Sequence, residues 1–205
     1  MKRMHLFLIA VMTVAMLAGC GSKEGSQPDS TQSPPAGIQG EQLSQNEQLF
    51  LQIRENTPLP EIPVVDKEGG ETVLRAQEGE ILVINLWASW CGYCIKEIPY
   101  FNEVHERLAG EGVRIVAVNV LDSAGDPYTQ AEVQAAFSEE ERLGVAFPGY
   151  VDYKNEAAIQ FAVRSVPMTI FVDGSNNIVL RYPGMFQSAQ ELEEWLGYVQ
   201  KYAGQ

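Results

Sequence analysis

Basic residues, cysteine and histidine are all scarce in this 205-residue chain. Fourteen Lys and Arg stand against 27 Asp and Glu, giving a net charge of −13. Nucleic acid is bound through clustered Lys and Arg that neutralise phosphates, so this balance excludes it as a partner. Three cysteines are too few for a disulfide-stapled scaffold, and with only two histidines they are few for a metal cage. No internal repeat is present. What remains is a chain that is 45% hydrophobic and 20% charged, long enough for one domain with a real core plus extra segments. Apolar runs fill its last two-thirds, which excludes a collagen-like or wholly disordered chain.

The first residues read as an address. Lys2 and Arg3 precede an apolar run from Leu6 to Ala18, broken only by Thr13. A basic start and an apolar stretch of this length form a secretory signal, too short and wrongly flanked for a membrane span. The closing Leu17-Ala18-Gly19-Cys20 resembles the bacterial lipobox. That resemblance implies cleavage before Cys20 and a diacylglycerol on its sulfur, with 1–19 as the signal peptide. Cleavage removes Lys2 and Arg3 and makes the chain more negative still, so lipid and not charge would hold it at an anionic membrane. From residue 20 to 42 the chain is rich in Gly, Ser, Gln and Pro, with Ile38 as the only large apolar residue. It cannot bury enough surface to offset its ordering entropy, and a flexible tether is expected over 20–56. Within it, Leu43, Leu49, Phe50 and Ile53 leave room for a short helix over 41–55.

The domain is expected over 57–205. Ile62 to Asp66 and Thr72 to Leu74, around Glu68-Gly69-Gly70, read as a hairpin. Ile81 to Ala88 is a continuous apolar strand interrupted by Asn85, the mark of a central strand covered on both faces. A helix from Cys91 to Ala109 and a second buried strand from Val113 to Val120 follow. Gln130–Leu143 reads as helix, Phe147–Val151 as a short strand and Asn155–Val163 as helix. Met168–Val172 and Ile178–Tyr182 read as an antiparallel pair. Ser188 to Glu191 has the spacing of a capping box that opens a last helix to Tyr202. The alternation predicts an α/β fold, with parallel strands, crossovers and an antiparallel edge.

Chemistry concentrates where a buried strand becomes a helix, at Trp90-Cys91-Gly92-Tyr93-Cys94. At a helix start the first thiol meets unpaired N–H groups and the positive dipole end, which stabilise its thiolate. The second thiol is placed to close a disulfide on the first. A purely structural disulfide over so small a loop would add little stability. A zinc site needs two further ligands, and the candidates are Cys20 and His105. His105 lies 11 residues beyond Cys94 on the same helix, a rise of about 16 Å that rules it out.

The segment from Asn85 to Cys94 resembles the thioredoxin active site. Pro99 falls where thioredoxins kink their first helix, and Ser165-Val166-Pro167-Met168-Thr169 resembles the loop whose proline is cis in that superfamily. The resemblance covers about residues 57–202. The N-terminal hairpin, the helix–strand insertion at 130–151 and the run Cys94-Ile95-Lys96-Glu97-Ile98-Pro99-Tyr100 narrow it to the TlpA/ResA-like branch of membrane-tethered thiol-disulfide oxidoreductases.

That resemblance implies a thioredoxin-like mixed sheet flanked by helices, with an N-terminal hairpin and a central insertion. It implies Cys91 as attacking and Cys94 as resolving thiol, with their redox-active disulfide and no further cofactor or metal. Glu97 is placed as an acid near the thiols. Trp90, Tyr93, Val166 and Pro167 are placed as the substrate-binding surface, and Trp87 as a flanking aromatic. Asn85 stands where many thioredoxins have a buried acid, and Tyr93 where the commonest dipeptide has Pro.

The expected activity is reduction of disulfides in exported proteins, apocytochrome c among them. Electrons would come from a transmembrane dithiol carrier, and the lipid anchor would hold the protein on the outer face of the cytoplasmic membrane. Three rivals stand beside it. The first is an oxidase that donates disulfides. The second is a redoxin-type thiol peroxidase, whose Thr three residues before the Cys is here Ala88. The third is a copper chaperone, which needs a wider Cys spacing and a distal His that this chain lacks.

Overall fold

The computed structural model describes residues 43–120, 122 and 127–203. The signal peptide, Cys20 and the tether up to residue 42 lie outside the described residues. Thirteen elements follow in order: α1 (Gln45–Ile53), β1 (Thr57–Pro58), β2 (Pro63–Val65), β3 (Glu71–Val73), β4 (Ile81–Trp87), α2 (Gly92–Arg107), β5 (Val113–Asn119), α3 (Gln130–Leu143), β6 (Gly149–Val151), α4 (Glu156–Gln160), β7 (Met168–Val172), β8 (Asn177–Pro183) and α5 (Ala189–Tyr202).

The eight strands form one sheet in the order β1-β8-β7-β4-β5-β6-β2-β3. β4 is buried at every position, as a strand covered on both faces must be. It pairs in parallel with β5 (Ile81 opposite Val113) and antiparallel with β7 (Asn85 opposite Thr169). Side chains alternate across the sheet. Ile81, Val83 and Trp87 enter one cluster with residues of α2 and α5, and both cysteines belong to it. Leu82, Ile84 and Leu86 enter the other, with Ala157 of α4. The insertion forms a smaller third cluster, in which Val133, Ala136 and Phe137 of α3 meet Val65 and Val151.

Several expectations change. Parallel pairing is confined to β4–β5 and β5–β6; the other ladders are antiparallel. The hairpin joins the sheet through Val65 opposite Val151. α2 ends at Arg107, and α4 is shortened to Glu156–Gln160. β1, pairing with β8, lay unread because a two-residue strand has no periodicity.

The tether cannot extend to residue 56, since α1 is packed on α5. Phe50 is fully buried among the rings of Trp195, Tyr198 and Tyr202, and Glu47 accepts from Lys201 Nζ at 2.7 Å and Tyr202 Oη at 2.9 Å. The capping box also sits elsewhere. Ser188 Oγ accepts from Glu191 N, but the Glu191 carboxylate turns to Gln187 N and Tyr182 Oη. The complete box is Thr129–Glu132, at the start of α3.

Candidate active site

β4 delivers the chain to the site, and a tight turn redirects it. Cys91 N donates to Ala88 O at 3.0 Å, and the Ser89 amide between them is held by both Asp122 carboxylate oxygens at 3.0 Å. Asn119, at the end of β5, fixes Asp122 through its Nδ2 at 2.6 Å. Cys91 is then the N-cap of α2, and its sulfur accepts the Cys94 N–H at 3.1 Å. An amide of the first turn thus addresses the first cysteine, the arrangement that favours a thiolate there.

Cys91 and Cys94 are joined in a disulfide, with Cα atoms 5.3 Å apart. Cys94 has no exposure and Cys91 has 5%, so approach from solvent reaches Cys91 first. α2 runs on through Pro99 without ending. Flanking the pair, Trp90 and Tyr93 are 64% and 63% exposed, and the Lys96 ammonium lies over the Tyr93 ring at 5.3 Å. Trp87 is buried in the core cluster. The Val166–Pro167 peptide is cis, Pro167 O accepts from Gly184 N at 2.9 Å, and Val166 packs against the cluster that holds the cysteines.

Glu97 follows Cys94 by three residues, the spacing of neighbours on one helix face. It is not a solvated helix residue: its exposure is zero. One carboxylate oxygen accepts from Asn85 Nδ2 at 2.8 Å, and the other accepts from the Phe186 amide at 3.1 Å. Burial pushes its pKa up to about 7, against the opposing pull of those two donors. Asn85 is accordingly a hydrogen-bonded core residue. Sequence reasoning missed the Phe186 donor, because a backbone amide leaves no mark in the side-chain pattern, and it missed Asp122.

Among the described residues no group of three or more His, Cys, Asp or Glu side chains is placed to hold a metal ion, and no helix is long and apolar enough to cross a membrane. The arrangement holds a dithiol–disulfide pair at a helix start, with a titratable acid one turn deeper.

Curated relatives match this chain over more than half its length. The chain is 32% identical over 119 residues to the thiol-disulfide oxidoreductase ResA of Geobacillus thermodenitrificans, covering 58% of this chain and 63% of that protein. It is 28% identical over 142 residues to the ResA of Bacillus anthracis, covering 69% and 75%. The chain therefore spans a little under two thirds of the first of these relatives. Among solved structures, StoA from Bacillus subtilis superposes with a TM-score of 0.55 at 22% identity, covering 69% of this chain and 99% of that one. The thioredoxin domain of a thiol-disulfide oxidoreductase from Bacteroides vulgatus gives 0.56 at 17% identity, covering 68% and 96%. The fold is thioredoxin-like. Residues 56–181 match the model of the AhpC/TSA family, and over that span, more than half its length, the chain belongs to the AhpC/TSA family.

Proposed function

We propose that the protein is a thiol-disulfide oxidoreductase that reduces disulfides in exported proteins through Cys91 and Cys94. The observation that carries this reading is the Cys91–Cys94 disulfide at the N-terminus of α2, with the Cys94 amide directed at the Cys91 sulfur. In the reduced protein the Cys91 thiolate attacks one sulfur of a substrate disulfide. A mixed disulfide forms, and the second substrate sulfur leaves as a thiolate. Cys94 loses its proton and attacks the Cys91 sulfur, which releases the first substrate sulfur and leaves the Cys91–Cys94 disulfide. A dithiol donor then returns two electrons and two protons. Glu97, half-ionised near neutrality and one turn from Cys94, is suited to take up the proton that Cys94 loses.

Trp90 and Tyr93 are exposed around the pair, and we assign them, with Val166 and Pro167 at the cis peptide, to receive an extended substrate segment. The Leu17-Ala18-Gly19-Cys20 junction supports lipid anchoring at Cys20, export, and a place on the outer face of the cytoplasmic membrane. There a transmembrane dithiol carrier would supply electrons, and apocytochrome c is one candidate substrate.

The test is trapping. Cys94→Ser should accumulate mixed disulfides with exported proteins through Cys91, and Cys91→Ser should trap none; equal trapping through either cysteine refutes the assigned roles. Cys20→Ala should block processing at this site, and unchanged processing and fractionation would refute the anchor.

A further inference from the structure

A second buried acid lies outside this machinery. Glu140 is on α3, in the insertion, and is only 8% exposed. Its carboxyl rests on β6 at Gly149, and the space for it exists because that residue is glycine. A Cβ there would stand 1.8 Å from Glu140 Oε2. The carboxyl borders a cavity of about 220 Å³ also lined by Phe137, Val145 and Phe147. The indole N–H of Trp87, the last residue of β4, is near enough to this carboxyl to favour its ionised form. Yet neither Trp87 Nε1 nor Glu140 Oε1 completes a hydrogen bond with any described residue. A buried donor and a buried acceptor, each costly to leave unpaired, thus stand open beside one another.

Trp87 links this notch to the disulfide. It shares the buried cluster of Cys91 and Cys94, and the turn at Ala88 that presents Cys91 begins at its carboxyl end. We propose that Glu140 is a positioning residue of the redox centre: seated over Gly149, it holds the Trp87 indole, and through that indole its charge is coupled to the Cys91 thiolate. The inference rests on the reading of Cys91–Cys94 as an exchanging couple. The ionisable groups facing Glu140 are Lys67, from the β2–β3 turn, and Glu141 on its own helix; these two pair with each other at 3.5 Å. Burial dominates and pushes the Glu140 pKa up to about 8, so its charge changes just above the range of about 3.5–7.5 in which helix-terminal thiols ionise.

The Trp87 indole ¹⁵N–¹H resonance, assigned by its loss in Trp87→Phe, reports on this contact without any thiol chemistry. In the oxidised protein it should titrate with a midpoint near 8, lose that transition in Glu140→Gln and keep it in Glu97→Gln. Gly149→Ala keeps the acid but evicts its carboxyl from the notch, and should move the midpoint down toward the ordinary carboxylate range. Coupling is reciprocal, so reducing the disulfide should raise the wild-type midpoint by at least about 0.3 pH unit, a twofold change in acid constant. A transition that persists in Glu140→Gln, an unmoved midpoint in Gly149→Ala, or equal midpoints in the oxidised and reduced protein would each overturn the proposal. The Cys94→Ser trap separates the two readings: trapping without coupling removes only Glu140, and coupling without trapping removes only the exchange function.

Discussion

Two of the acids buried among the described residues, Glu97 and Glu140, are held differently. Glu97, on the redox helix, gives one oxygen to Asn85 and the other to the Phe186 amide. Glu140, on the insertion, has an orphaned oxygen and a nearby indole that closes no full bond with it. Burial raises both pKa values, to about 7 and about 8. In both, desolvation lifts the carboxyl while neighbouring donors pull the other way, two of them at Glu97 and the Trp87 indole at Glu140. Glu97 is held as part of a finished network joining β4, α2 and the loop before α5, whereas Glu140 is held by shape, in the gap a missing Cβ leaves.

The largest effect that can sharpen this contrast is on stability against pH. Each acid has a folded pKa above its unfolded value of 4.5, so the folded state binds more protons than the unfolded one between those values. Stability should be unpenalised below about pH 4.5 and fall as pH rises toward about 7 for Glu97 and about 8 for Glu140. The full Glu97 shift corresponds to a loss on the order of 3 kcal/mol, with Glu140 losing somewhat more. Urea unfolding across this range should show a decline that Glu97→Gln lessens between about pH 4.5 and 7 and Glu140→Gln between about pH 4.5 and 8, the stretch above 7 belonging to Glu140 alone. A flat wild-type profile would break the comparison.

Truncation gives the next largest effect. Measured near pH 5, where both acids are neutral, Glu97→Ala strands two buried donors and should cost about 2–4 kcal/mol. Glu140→Ala gives up packing and only a weak attraction to the Trp87 N–H, which closes no full hydrogen bond, and should cost less, about 1 kcal/mol. Equal costs would mean that the two environments do not differ as their hydrogen bonds indicate.

Thiol reactivity follows. Glu97→Gln removes a negative charge that opposes a second one nearby, so the apparent Cys91 pKa should fall in an alkylation-rate titration; an unchanged curve would confine Glu97 to a structural role. Smallest of all is Lys67→Met. Lys67 favours ionisation of Glu140, but its side chain is 62% exposed and solvent screens it. The Trp87 indole midpoint should rise by less than about 0.3 pH unit, with no change at Glu97.

These two acids also mark how far the sequence could be read. The Cys91–Cys94 pair, the central strand around Asn85 and the proline at 167 each had a local signature, and Glu97 was placed by the residues that follow Cys94. Its two partners were not equally visible: Asn85 interrupts an apolar strand, but Phe186 contributes only its backbone. Glu140 sits in the run Glu139-Glu140-Glu141, which reads as a solvated helix face. Helical spacing does single it out, since Val133, Ala136, Phe137 and Glu140 are the buried residues of α3 and recur at the three- and four-residue steps of one face. The glycine that admits it lies on another strand, and that pairing is a tertiary fact. α1 was legible only as a possible short helix for a similar reason: its one fully buried residue, Phe50, is anchored by rings of α5, nearly the whole chain away.

The central claim is that Cys91 and Cys94 work as a reductant, and their equilibrium reduction potential tests it most directly. Strong oxidants over-stabilise the thiolate. Here the Gly92-Tyr93 pair supplies no cation between the cysteines, and Lys96 is exposed over the Tyr93 ring. The acid at Glu97 opposes the thiolate, which leaves the α2 terminus as its main support. Glutathione equilibration should return roughly −200 to −270 mV, on the scale where thioredoxin lies near −270 and DsbA near −120 mV. A value above about −150 mV would contradict the account and make the protein a donor of disulfides.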